Sequence, residues 1–242
     1  TPTPATACHI QQRLGAGRAV AFDISAACSG YLFAMRIAKR LISDGAYKNA
    51  LIIAAEKLSA FVNWEDRSTC VLFGDGSGAA VLRHAGPGEG EIIATEMGSD
   101  GNLTRLLQIP GGGSACPITA DNADEHLNTL AMTGREVFKH AVTRMREVAE
   151  RVIERAGFTA DDIKLVIPHQ ANLRIIDALA DRLSVPNERV FVNLHKYGNT
   201  SAAAVAIALD EAHRERCFER GDHIIMVAFG AGLTWAAAAI RW

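Results

Sequence analysis

Nowhere does the chain reach the roughly 18 consecutive apolar residues that a bilayer-spanning helix needs, and its N-terminus lacks the charged-then-apolar profile of a signal peptide. A cytoplasmic protein is the resulting expectation. Charge of one sign is missing too. With 25 basic and 27 acidic residues and a formal net charge of −2, the sequence has no basic excess for nucleic acid or a membrane surface, so an anionic partner must be met locally. The five cysteines, Cys8, Cys28, Cys70, Cys116 and Cys217, are odd in number and form no C-x-x-C pair. Neither a disulfide framework nor a zinc site is signalled, and no metal is expected. Cys8, Cys70 and Cys217 read as small buried hydrophobes.

What is present is ample apolar material, 49% of 242 residues, enough for one large α/β domain or two small ones. In the C-terminal part strands alternate with helices. EIIATEM (91–97) reads as a strand, and Thr133 to Ala156 as an amphipathic helix with a capping box from Thr133 to Glu136 and a stop at Gly157. IKLVIP (163–168) follows as a strand, Asn172 to Leu183 as a helix, and RVFVNL (189–194) as a strand. After YGNTSAA come a helix to about Glu219, the strand HIIMVAFG (223–230), a glycine turn and the strand LTWAAAAIRW.

The end of that series has an earlier counterpart. AVAFDIS (19–25) reads as a strand, AACSG opens a helix to Ser43, NALIIAAE (49–56) is a strand, and FGDGSGAAVL (73–82) is a glycine turn into a strand. Two copies of one unit follow, 1–86 and 87–242, joined in the loop HAGPGEGE. Near-continuous apolar strands predict a mostly parallel, buried sheet. The first copy is shorter than the second, and about 80 residues of its opening part are expected to lie outside this chain.

Duplication brings AACSG and YGNTSAA toward each other across a pseudo-twofold axis. A thiol at a helix start is favoured as thiolate by unpaired N–H groups and the dipole, which lowers its pKa, and Ala26, Ala27, Ser29 and Gly30 leave room around Cys28. A small core residue is the alternative for Cys28. His169, in PHQAN, follows a strand at its carboxyl end, where ligands gather in open α/β sheets; a structural histidine is the alternative. Asn199 sits in a Gly-Asn-Thr turn, where a local backbone cap would explain it equally. FGDGSGA lacks the Lys-Ser/Thr ending of a phosphate loop and reads as a tight turn.

AFDISAACSG, VIPHQANLRII, YGNTSAA and FGAGLTW resemble, in order and spacing, the motifs of the β-ketoacyl-acyl-carrier-protein synthase III family within the thiolase superfamily, from near Ala5 to Trp242. The resemblance implies a duplicated α-β-α-β-α sandwich lacking the start of its first half, and a homodimer in which Ala19 to Ser25 continues one sheet across the interface. It implies a decarboxylating Claisen condensation that initiates fatty acid synthesis. The primer would be an acyl-CoA, with acetyl the family's commonest, and the extender a malonyl-acyl-carrier protein. Both are substrates, so no cofactor is expected.

Carried over by motif, Cys28 is the nucleophile, and His169 and Asn199 donate to the malonyl thioester oxygen. The N–H groups of Cys28 and Ala231 form the oxyanion hole, and Phe229 lines the pocket. Ala231 replaces a glycine common in the family. Arg67, Lys139 and Arg174 match basic positions for CoA or carrier, although each also reads as solvated surface; Asp181 stands at a further basic position.

A papain-like protease shares the order Cys, His, Asn but needs C-G-[SA]-C-[WY] around its cysteine, which is absent around Cys28. Thiolase would carry a second cysteine in the final glycine turn, elongating synthases a histidine at 199, and plant-type polyketide synthases lack the PHQAN and GNTSAA wording. An inactive fragment, or a non-catalytic carrier-binding subunit of the same fold, is the alternative from another class.

Overall fold

In the computed structural model, which describes residues 3–242, the elements are α1 (Thr6–Arg13), α2 (Gly30–Ser43), β1 (Asn49–Lys57), β2 (Asp75–Arg83), β3 (Glu91–Ser99), β4 (Leu107–Gln108), β5 (Ala131–Met132), α3 (Gly134–Ala156), β6 (Ile163–Pro168), α4 (Leu173–Leu183), α5 (Leu194–Tyr197), α6 (Ala203–Arg214), β7 (His223–Gly230) and β8 (Thr234–Arg241). The main sheet runs β3-β8-β7-β6, with β6 parallel to β7 and the other pairs antiparallel. A separate antiparallel ladder pairs β1 with β2.

Helices α2 and α6 touch strands of both sheets and so lie between them, while α3, with α4 beside it, covers the main sheet's other face. The order of layers is strand, helix, strand, helix. One apolar core fills the space between the sheets and mixes Tyr31, Leu32 and Met35 with Val205, Ile224 and Met226. A second lies under α3 and α4. Every residue of β7 after His223 is buried, because helices cover both faces of that strand, and this explains its unbroken apolar run.

The two copies are recognisable in the backbone. Strands β1 and β2 form the same antiparallel pair as β7 and β8. Each inter-sheet helix is preceded by one non-glycine residue in the left-handed region, Ala27 at φ 45° and Ser201 at φ 51°. In the second copy the pair is flanked by β3 and β6; among the described residues the first copy has no strand in either place.

That asymmetry accounts for the largest departure from expectation. Ala19 to Ser25 is not a strand. Its counterpart RVFVNL at least bridges β6, through Val190 opposite Val166 and Phe191 N–H to Val166 O at 2.9 Å. The first copy offers no ladder of that kind, and backbone without a partner is not strand. Instead α1 lies against this stretch, with Asp23 accepting the N–H groups of Thr6 and Ala7 at its N-terminus. Val20, Phe22 and Ile24 are left 64%, 51% and 37% exposed. RVFVNL is likewise an isolated bridge rather than a strand.

Three smaller corrections have local causes. The Thr133 side chain makes no cap; Glu136 pairs with Lys139 at 2.9 Å instead, although Gly157 ends α3 at φ 73° as expected. Helix α6 stops at Arg214, five residues short of Glu219, as Arg216 turns left-handed. Gly76 and Gly78 are not turn residues but lie within β2, where a Cβ on Gly78 would fall 2.5 Å from that of Ala206; they let α6 pack directly on the strand. At the outer edge of β3, Lys39 donates to the carbonyls of Ile92 and Ile93 and Arg36 to Thr95, which blunts an edge that could template pairing.

Candidate active site

Cys28 lies in a single 3₁₀ turn, Ala27–Ser29, that leads into α2. It is 7% exposed. The glycine turn between β7 and β8 presses against it, so that a Cβ on Gly230 would sit 2.6 Å from the Cys28 nitrogen and 3.0 Å from its Cβ. Only glycine permits that approach, which places the next residue, Ala231, beside the nucleophile. Thr234 fastens the junction, its hydroxyl donating to Ala26 O at 2.9 Å and contacting Ala231 O at 3.1 Å. Gly230→Ala is therefore expected to destabilise the protein by about 1–3 kcal/mol through overpacking and to slow reaction at Cys28. An unchanged denaturation midpoint would show that the turn can retreat from the cysteine.

From the other copy, the Ser201 side chain acts on the same sulfur, lowering the thiol pKa. The Ser201 N–H also donates to Asn199 Oδ1 at 2.9 Å. Asn199 is thus both a local cap and a polar group at the site, because a carboxamide whose oxygen is occupied still has its N–H₂ to offer. Its backbone is held by the first copy, N–H to Leu72 O at 2.8 Å and O from Gly74 N–H at 2.9 Å. A Cβ on Gly30 would be 3.5 Å from that of Ala202, so the two helix starts abut as duplication predicts.

His169 follows β6 and is 2% exposed, its backbone N–H donating to Val227 O at 2.7 Å, two residues before the buried Phe229. Among the described residues Nδ1 has no partner. Burial lowers the imidazole pKa to about 4, so the ring is neutral at pH 7. At this end of the main sheet Gly230 thus packs on Cys28, His169 is held to β7 at Val227, and the helix start after Cys28 abuts the one after Asn199.

The protonation of Cys28 departs from expectation. Burial raises the thiol to about 11, against the lowering effect of the Ser201 side chain, and the Glu56 carboxylate raises it further. Loss of solvation outweighs the helix start, and the resting sulfur is a thiol. Glu56 is itself raised by burial, against a lowering effect of the Ala202 N–H. Nothing in an apolar strand ending in a lone glutamate, IIAAE, marks it as a neighbour of Cys28. The wording of YGNTSAA likewise draws attention to Asn199 rather than Ser201, and that of PHQAN to His169 rather than Gln170.

The three basic positions are all exposed. Arg174, in the first turn of α4, lines an open groove of about 500 Å³ with Val71, Leu72, Ala171, Asn172 and His195. Lys139 lies on α3 and is paired with Glu136, and Arg67 lies in the β1–β2 connection; neither lines that groove. The described residues hold no cluster of three or more His, Cys, Asp or Glu fit for a metal, and none of their helices is long and apolar enough to cross a membrane.

The chain is similar to known proteins over nearly all of its length. Residues 22–101 match the model of 3-oxoacyl-[acyl-carrier-protein] synthase III, and residues 153–242 match that of its C-terminal part. The β-ketoacyl-[acyl-carrier-protein] synthase III of Caldanaerobacter subterraneus subsp. tengcongensis is 51% identical over 239 residues, 99% of this chain and 72% of that protein. The crystal structure of the synthase III from Aquifex aeolicus VF5 superposes with a TM-score of 0.90 at 50% identity, covering 100% of this chain and 73% of the other. That from Pseudomonas aeruginosa PAO1 superposes at 0.91 with 40% identity, covering 100% and 73%. With relatives this similar over nearly all of its length, the chain belongs to the β-ketoacyl-[acyl-carrier-protein] synthase III family of the thiolase superfamily.

Proposed function

We propose that Cys28 carries the acyl group in a condensation whose second half is run by His169 and Asn199. Membership of the family makes the chain an acyltransferase that initiates fatty acid synthesis by condensation. The Cys28 sulfur attacks the carbonyl of an acyl-CoA, with acetyl-CoA the primer proposed. Its proton leaves as the acyl–sulfur bond forms, and the departing CoA thiolate takes up a proton. Malonyl-acyl-carrier protein then loses CO₂, and the electron pair of the broken carbon–carbon bond becomes an enolate.

A neutral imidazole and a carboxamide both donate to that enolate oxygen, stabilising it without offering an acidic proton to its carbon. The carbon attacks the acyl-Cys28 carbonyl, and the N–H groups of Cys28 and Ala231 receive the tetrahedral oxyanion; one such donor is typically worth about 3 kcal/mol. Collapse expels the Cys28 thiolate, which is reprotonated, and releases the 3-oxoacyl carrier. No cofactor or metal enters this scheme.

The observation that carries the reading is that the two helix starts meet, Gly30 against Ala202, with Gly230 packed on Cys28 and Asn199 Oδ1 capping the turn that leads into the second helix. Incubation with radiolabelled acetyl-CoA tests it: a hydroxylamine-labile label on the folded protein is expected, and none would refute the acyl-enzyme. Arg174, at the groove, with Arg67 and Lys139, is the basic surface offered to CoA phosphates or the acidic carrier. The exposed Val20, Phe22 and Ile24 support a homodimer joined along residues 19–25 in a cytoplasmic protein. Light scattering at micromolar protein should give twice the chain mass, and a monomeric mass would count against the pairing.

A further inference from the structure

Gln170, which the scheme above does not use, is 1% exposed and hydrogen-bonded at every position its side chain can use. Nε2 donates to Pro168 O at 2.8 Å and Phe191 O at 3.1 Å. Oε1 accepts the N–H groups of Asn193 at 2.9 Å and Leu194 at 3.1 Å. The first contact closes the loop that carries His169. The last two cap the start of α5, the short helix whose end delivers Gly198 and Asn199. Glu211 secures α5 from the other side, accepting Asn193 Nδ2, Lys196 Nζ and the Tyr197 hydroxyl.

Among the described residues the imidazole of His169 has no partner on Nδ1, so the ring's place depends on the backbone that Gln170 holds. We infer that Gln170 is a positioning residue that ties the His169 loop to the Asn199 loop and sets the spacing of the two donors that stabilise the enolate. The inference rests on the roles proposed above for His169 and Asn199. Cys28 is packed instead against Gly230 at the end of β7, which Gln170 does not touch, so loss of Gln170 should impair one half-reaction and spare the other.

The test measures the halves separately in Gln170→Met, which keeps the side-chain length and removes all four bonds, with His169→Ala as benchmark. Acyl transfer from labelled acetyl-CoA to Cys28 is expected to stay within about threefold of the unaltered protein. Release of CO₂ from malonyl-acyl-carrier protein should fall about 100-fold in kcat, the scale of a 1 Å misplacement, with KM little changed. Gln170→Glu keeps the two acceptor contacts but turns an oxygen toward Pro168 O and Phe191 O, and should lose at least as much CO₂ release as Gln170→Met. CO₂ release within threefold in Gln170→Met, or both halves reduced by one common factor, overturns the inference. If Gln170→Met does not fold, the same two criteria apply to Gln170→Glu. Unchanged CO₂ release in His169→Ala would instead remove the reading itself, and the inference with it.

Discussion

Cys28→Ala is expected to lower condensation by about 10⁴-fold or more, because a covalent route loses its nucleophile outright, and to leave no acyl label on the protein. Its more informative consequence lies in the other half-reaction. His169 and Asn199 draw their positions from β6, α5 and the Leu72–Gly74 loop, not from the sulfur. Decarboxylation of malonyl-acyl-carrier protein should therefore persist in the variant, with the enolate quenched to an acetyl group for want of an acyl acceptor. Cys28→Ser should label poorly as well, since an alcohol in this buried place is harder to ionise than a thiol already raised to about 11. Acylation of Cys28→Ala at the normal rate would assign the nucleophile elsewhere, and loss of decarboxylation along with labelling would mean that the sulfur also organises the donors.

Asn199→Asp should reduce CO₂ release by about 10²–10³-fold, the effect of deleting one preorganised donor. The choice of aspartate isolates that donor. Asp retains an oxygen to accept the Ser201 N–H at 2.9 Å, so the local turn survives, while a negative oxygen replaces the N–H₂ facing the developing enolate. Asn199→Ala removes the donor and the cap together, and greater harm from aspartate than from alanine would point to charge at the enolate rather than to the turn. His169→Ala is expected to match the loss of the Asn199 donor. The double variant should fall short of the product of the single effects, because the two donors serve one oxygen. Retention of CO₂ release within threefold in both single variants would leave the enolate without its proposed partners. Measuring label and CO₂ on the same preparations distinguishes these results from simple unfolding.

Much of this was legible from residue order. The long period of α3 and its glycine stop needed only local periodicity, as did the apolar runs of β6 and β7, and the structure places those elements within a residue or two of expectation. The repeated pattern of strand, small-residue helix start, helix and glycine turn disclosed the duplication, which the abutting of Gly30 and Ala202 confirms. Other features were not legible in that way. Ala19 to Ser25 has the composition of a strand, yet a strand exists only with a neighbour to share its N–H and C=O groups, and no local pattern reports whether that neighbour is there. The capping box at Thr133 failed because Glu136 had a competing partner in Lys139, one turn along the same helix.

The sequence by itself determined which segments become helices and buried strands, which residues stand at loop-to-helix junctions, and which family the motifs point to. All of these follow from preferences that act over a few neighbouring positions. Only the tertiary structure decided that burial raises the thiol and lowers the imidazole, that one nitrogen of that ring has no partner among the described residues, that Gly230 packs on Cys28, and that Gln170 bonds to two separate loops. Desolvation and hydrogen bonds between segments far apart in the chain arise only when packing removes water and brings those segments into contact.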